Sequence, residues 1–154
     1  MYLCGMTIEE LTTITEAQTQ DVLGLMKELN ANIPVTPEMV RRSVDAPGTH
    51  FFAVLDGERI VGCASLCVCE SPTGRKAHVE DVVVSSAYRG QHLGRRLIER
   101  VLAFAKEEWA DVDVYLTSRP SRVAANALYQ AVGFQPKETN VYKMAFTSAD
   151  KYSV

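Results

Sequence analysis

Residues 79–97 read "VEDVVVSSAYRGQHLGRRL": a valine run gives way to two glycines set among arginines, and then to a helix-like apolar pattern. A helix entered through a tight glycine turn leaves its first backbone N–H groups without intrahelical partners, and the macrodipole adds partial positive charge there. Gly90 and Gly94 lack a β-carbon, so a phosphate can approach the main chain, while Arg89 and Arg95 can add charge-assisted hydrogen bonds. Strand, anion-binding loop and helix follow in that order, and a pyrophosphate is the natural guest. There is no GxGxxG after the first strand and no GxxxxGK followed by Ser or Thr, which removes the usual nucleotide motifs. By itself the loop reads sooner as a helix start with a solvated basic face.

Outward from this stretch, helical and strand-like segments alternate, the pattern of a mixed α/β domain. "TEAQTQDVLGLMKELNANI" starts with Thr15 and Gln18 in capping-box positions and repeats apolar groups at Val22, Leu25, Met26, Leu29 and Ile33, which predicts an amphipathic helix. "PEMVRRSVDA" predicts a short second helix with Pro37 in its first turn. "HFFAVLDGERIVGCASLCV" reads as a hairpin about Asp56 and Gly57. "AHVEDVVVS" is a strand expected to carry His78, Glu80, Val82 and Val84 on one face. A helix from about Gln91 to Glu107 follows, then the strand "DVDVYLTS", the helix "RVAANALYQAV" capped by Gly133, and a last strand "VYKMAF".

The chain has 154 residues, enough for one domain with one core, and 1–154 is read as a single domain. Sixteen basic against 19 acidic side chains leave a net charge of -3, which gives no reason to expect a nucleic-acid partner. The N-terminus "MYLCGMTIEE" lacks a basic segment followed by a long apolar run, and no stretch approaches the about 18 apolar residues of a membrane span. No membrane association and a cytoplasmic location are expected. Cys63, Cys67 and Cys69 fall on one strand face, but without a CxxC pair or a second ligand cluster, so small buried thiols are expected rather than a metal site.

"VEDVVVSSAYRGQHLGRRL" and "NALYQAVGF" together resemble the two signature regions of the GNAT superfamily of acetyl-CoA-dependent N-acetyltransferases, the likeness running from about Phe51 to Phe146. It implies a mixed, mostly antiparallel central sheet flanked by about four helices. It also implies acetyl-CoA as acetyl donor, no metal, and, as in many relatives, a homodimer. In the superfamily a [QR]xxGx[GA] loop cradles the coenzyme pyrophosphate; Arg89, Leu93 and Gly94 match, and His92 stands where most members have the middle glycine. Histidine tolerates positive φ better than most residues, so His92 is expected as a solvent-facing loop residue. The resemblance thus assigns the coenzyme to Arg89, Gly90, Gln91, His92, Leu93, Gly94 and Arg95, and to amides of Val82, Val83 and Val84 on a strand that is bulged and splayed from its neighbour. Asn126 and Tyr129, three apart on one helix, project from the same side. Their implied roles are holding the pantetheine or pyrophosphate and placing a hydroxyl near the coenzyme sulfur.

Amide formation needs a neutral amine, yet a primary amine of pKa ~10.4 is mostly ammonium at neutral pH. Glu80 is the candidate base, directly or through a water; its competing role is to bind the substrate ammonium or pair with an arginine. The Val82 amide is the candidate donor to the oxyanion of the tetrahedral intermediate, and Tyr129 the acid for the leaving thiolate. "HVEDVVVSSAYRGQHLGRRLIE" is locally similar to the glucosamine-6-phosphate N-acetyltransferases, and Arg41, Arg42, Arg75 and Lys76 are candidates for an acidic acceptor. Small-molecule amines and protein amino groups stay open as acceptors. A sensor that binds coenzyme A without turnover is the alternative from another class, disfavoured by the presence of both Glu80 and Tyr129.

Overall fold

In a computed structural model, residues 5–147 are described. In chain order they form β1 (Met6–Leu11), α1 (Glu16–Leu29), α2 (Pro37–Asp45), β2 (Thr49–Asp56), β3 (Arg59–Ser71), β4 (Gly74–Val84), α3 (Leu93–Glu108), β5 (Asp113–Tyr115) and α4 (Val123–Ala131). The sheet order is β1-β2-β3-β4-β5, antiparallel at the first three pairings and parallel between β4 and β5. This is the mixed, mostly antiparallel sheet with four helices that the sequence led us to expect.

Alternation along β2 divides the core. Phe52 and Val54 face α3 and α4, where Leu93, Leu97, Ile98, Val101 and Tyr129 are buried against the sheet; Phe51, Ala53 and Leu55 face α1 and α2, with Val22, Leu25, Val40 and Val44. The predicted capping box starts α1: Gln18 N–H donates to the Thr15 hydroxyl and the Gln18 side chain accepts from Thr15 N–H, both at 3.1 Å.

The structure departs from the sequence reading at three points. β1 was not foreseen, because only Met6 and Ile8 alternate with exposed Thr7 and Glu9, too weak a pattern without its partner β2. The last predicted strand, at 141–146, does not form: Val141, Tyr142, Met144 and Phe146 are 72–87% exposed. A strand needs a neighbour to take its N–H and C=O groups, and β5, the sheet's edge, is paired over only three residues.

The third concerns β4. His78, Glu80, Val82 and Val84 do not share one face. Cys63 pairs with Val83 but Ser65 with Glu80, so Asp81 and Val82 together stand opposite Ala64, a β-bulge with Asp81 at φ +53°. The extra residue reverses the alternation. His78 and Glu80 lie on the α1/α2 side opposite Cys67 and Ser65, whereas Val82 and Val84 pack on the α3 side and Val83 on the α1 side. The cysteines also divide: Cys63 is buried, its thiol pushed up to about 12 by burial, but Cys67 is half-buried and Cys69 exposed.

Candidate active site

β4 and β5 are paired only where Lys76, Ala77 and His78 meet Asp113, Val114 and Tyr115. Beyond His78 they part, leaving that edge of β4 without a strand to bond it and opening a gap of about 590 Å³ walled by Glu80, Asp81, Leu116, Ser118 and Tyr129. The bulge lies at this point, so irregular backbone and unpaired edge coincide. Ser118 Oγ is buried in the gap wall with no hydrogen-bond partner among the described residues.

On the α3 side the gap leads into a cleft of about 900 Å³, which shares Val82, Ser121, Arg122 and Tyr129 with it. Its floor is Val82, Val83 and Val84; one wall is the loop into α3 and the other the start of α4. The first α3 turn is closed by Arg96 N–H donating to His92 O at 3.1 Å, so the amides of Leu93, Gly94 and Arg95 have no acceptor within the helix. His92 is the residue before the helix, in the left-handed region at φ +57°, ψ +18°, and makes no side-chain cap. It holds the conformation a glycine would, and its exposed side chain borders the cleft. Gly90 at φ +79° is likewise left-handed. Gly94 lies under α4, where a β-carbon would stand in ordinary contact with Leu128 at 3.5 Å.

Of the residues that sequence reasoning gave to the coenzyme, Val82, Val83, Val84, Arg89, Gly90, His92, Leu93, Gly94 and Arg95 line this cleft. Gln91 and Asn126 are not among its lining residues. Asn126 Nδ2 instead donates to Arg119 O at 2.9 Å, bracing the loop that enters α4. Arg95 Nε donates to Glu99 at 2.8 Å.

Tyr129 is buried and borders both spaces, with Phe134 edge-on at 6.2 Å. Burial raises its pKa, partly opposed by the charge of Arg122 and a hydrogen bond from it. The hydroxyl therefore keeps its proton at neutral pH. Burial also raises the Glu80 carboxyl, with Asp81 adding to the shift and His78 opposing it; Asp81 is raised by burial alone.

Sequence reasoning missed four groups here. Asp81 is hidden from a periodicity reading because only the bulge turns it. Arg122, Ser118 and Glu28 carry no motif. Glu28, at the end of α1, accepts from Ser86 N–H at 3.2 Å and from the Ser86 hydroxyl, which is the main cause of its lowered pKa, with Arg89 adding a smaller part. It thereby ties the loop after β4 to α1. Of the basic residues considered for an acidic acceptor, Arg41 pairs with Glu16 at 3.3 Å, Arg75 pairs with Glu70 and lies over Trp109, and Lys76 donates to Ser71 and Thr73. Among the described residues no three His, Cys, Asp or Glu side chains gather to hold a metal ion, and no helix is long and apolar enough to cross a membrane.

The acetyltransferase (GNAT) family model matches residues 18–134. N-alpha-acetyltransferase RimI of Mycobacterium tuberculosis is 31% identical over 142 residues, covering 92% of this chain and 87% of that protein. Glucosamine 6-phosphate N-acetyltransferase 1 of Oryza sativa is 32% identical over 94 residues, 54% of this chain and 57% of its own. An aminoglycoside acetyltransferase from an uncultured soil metagenomic sample, crystallised with sisomicin, superposes with a TM-score of 0.77 at 17% identity, covering 93% of this chain and 97% of its own; it speaks for the fold. With the family model spanning most of the sequence and RimI aligned nearly end to end, the chain belongs to the GNAT acetyltransferase family.

Proposed function

We propose that the protein moves the acetyl group of acetyl-CoA to a primary amine by direct attack, with the coenzyme in the cleft beside α3 and the reacting carbon in the gap between β4 and β5. The observation that carries this reading is one continuous path: free amides at the start of α3, the unpaired edge of β4, and Tyr129 where cleft and gap meet. The residues present fit the donor. Three amides without helical acceptors, with Arg89 and Arg95 beside them, suit a diphosphate, and a valine floor suits the pantetheine arm.

The amine nitrogen attacks the thioester carbon, the C–S bond breaks, and the electron pair leaves on sulfur. Glu80 lies on the α1/α2 side, from which an amine reaches the gap, and its raised pKa suits it to take the ammonium proton, directly or through a water. The Val82 amide, in the bulge beyond the last β4–β5 pair, is the donor for the oxyanion. Tyr129 starts protonated and is a weaker acid than a thiol of pKa ~8.5. Its task is therefore to donate a hydrogen bond to the departing sulfur, which keeps the proton released by the new amide. Asn126 acts at one remove by holding the Arg119 carbonyl.

The supporting experiment is thiol release from acetyl-CoA over a panel of amines. Turnover of at least one amine is expected; coenzyme binding without turnover of any would favour a sensor. We further place the protein in the cytoplasm as a single-domain homodimer. The exposed apolar stretch Val141, Tyr142, Met144 and Phe146 and the open edge of β5 support the dimer. Light scattering at twice the chain mass is expected.

A further inference from the structure

The gap has a second opening, away from the coenzyme cleft, into a cavity of about 360 Å³ between the α1/α2 pair and the sheet. We infer that this cavity selects the acceptor: a primary amine carrying an apolar group, the group lying beneath α1 and α2 and the ammonium on Asp81. The inference rests on the acetyl-transfer reading and specifies the substrate of that same site.

The walls state the preference. Val22, Met26, Met39, Val40 and Phe51 line the cavity, and among the described lining residues Asp81 is the one carboxylate. Two of the large apolar side chains that remain exposed in the described residues, Ile33 at 49% and Met39 at 40%, stand at this cavity, where a bound apolar group would cover them. Methionines adapt to ligands of differing outline.

Asp81 is where it is because of the bulge. Its left-handed backbone turns the carboxylate to a position that borders both this cavity and the reaction gap, as do Leu29, Asn30 and Ile33. An ammonium held there lies next to Glu80, its immediate neighbour on β4, and at the entrance to the gap. Asp81 is itself exposed, and an apolar group bound beside it would cover the carboxylate and strengthen its hold on one cation.

A sugar phosphate or a polycationic aminoglycoside fits these walls poorly. Arg41, Arg75 and Lys76 are engaged elsewhere, which leaves Arg42 as the one guanidinium at the cavity, and it would repel a second ammonium. Besides Arg42 and Asp81 the cavity offers only Asn30, Ser43 and Ser65 as polar lining, with the Ser43 hydroxyl already donating to Val40 O, too few partners to replace the water that a polyhydroxylated acceptor would lose.

The test is thiol release with hexylamine and 2-phenylethylamine against glucosamine 6-phosphate and sisomicin. The apolar amines are expected to show kcat/KM at least tenfold higher. Asp81→Asn keeps a residue type that tolerates left-handed φ and should raise the amine KM at least tenfold, with coenzyme A affinity unchanged by calorimetry. Met39→Glu, at a half-exposed helix position, should raise the KM for 2-phenylethylamine but not for acetyl-CoA. Equal or better use of the polar amines, or an unchanged amine KM in both variants, overturns the proposal. Binding is read independently of turnover by ¹³C-methyl methionine NMR: 2-phenylethylamine should shift Met26 and Met39, and no shift overturns it. Methionine shifts without thiol release from any amine would leave the pocket standing and defeat the acetyl-transfer reading instead.

Discussion

At the scale of single residues, the site is made by groups held away from their preferred state. Asp81 sits at φ +53° with its carboxyl pKa raised by burial. A carboxylate whose folded pKa lies above its unfolded value contributes most to stability below the unfolded pKa, and that contribution is lost as pH rises through the folded one. Asp81 is exposed, so solvent screening keeps this cost at pH 7 small. Asp81→Asn should raise Tm at pH 7, and the gain should vanish as pH falls below the ordinary value of 3.8; an equal gain at pH 3 and pH 7 in thermal scans would refute this. Tyr129→Phe removes only a hydroxyl and leaves the ring on Phe134. It should lower kcat by about tenfold to 10²-fold, the scale of one charge-assisted hydrogen bond lost in the transition state, with coenzyme affinity within twofold, and an unaltered kcat would take the hydroxyl out of the chemistry.

At the scale of elements, much of the site comes from how two elements begin and end. α3 starts without a side-chain cap, so its first amides stay free for a ligand. Proline is tolerated in the first turn of a helix, where its missing N–H had no helical partner anyway. Gly94→Pro should therefore keep the helical circular dichroism signal and weaken coenzyme A binding at least tenfold by calorimetry; retained affinity would mean that these amides are not the cradle. This element was legible in the sequence, since glycines and arginines before an apolar 3.6-residue period carry a physical meaning of their own. The residues of β4 spoke only for a strand; that it is bulged and splayed came from the family resemblance, which did not say where the bulge falls. Its bulge leaves no mark in "VEDVVVS", because valines are apolar on either face, so the faces of Val82 and Val84 and the use of Asp81 were misread. The short β5 and the unformed strand at 141–146 fail for a related reason: propensity is local, whereas a ladder needs a partner.

At the scale of the whole molecule, one sheet separates two tasks. On the proposed reading its α3/α4 face holds the cleft for the donor and its α1/α2 face the cavity for the acceptor, with the gap where β4 and β5 part lying between them. The sheet's class and the donor side could be anticipated from the chain; the acceptor side could not, because its walls come from α1, α2, β2, β3 and the bulge, which share no motif. The division makes the two affinities separable: Met39→Glu should change the KM for the amine alone by placing a charge on an apolar wall, and Arg89→Glu that for acetyl-CoA alone by about tenfold, the cost of one charge-assisted contact. Equal effects of either variant on both substrates would mean a single shared pocket. The central claim is that the amides of Leu93, Gly94 and Arg95 hold a diphosphate whose thioester end lies at Tyr129. A crystal structure with bound coenzyme A tests it most directly: the diphosphate should sit on those amides with the sulfur within hydrogen-bond reach of the Tyr129 hydroxyl, and a diphosphate bound elsewhere, or a sulfur remote from that hydroxyl, would contradict it.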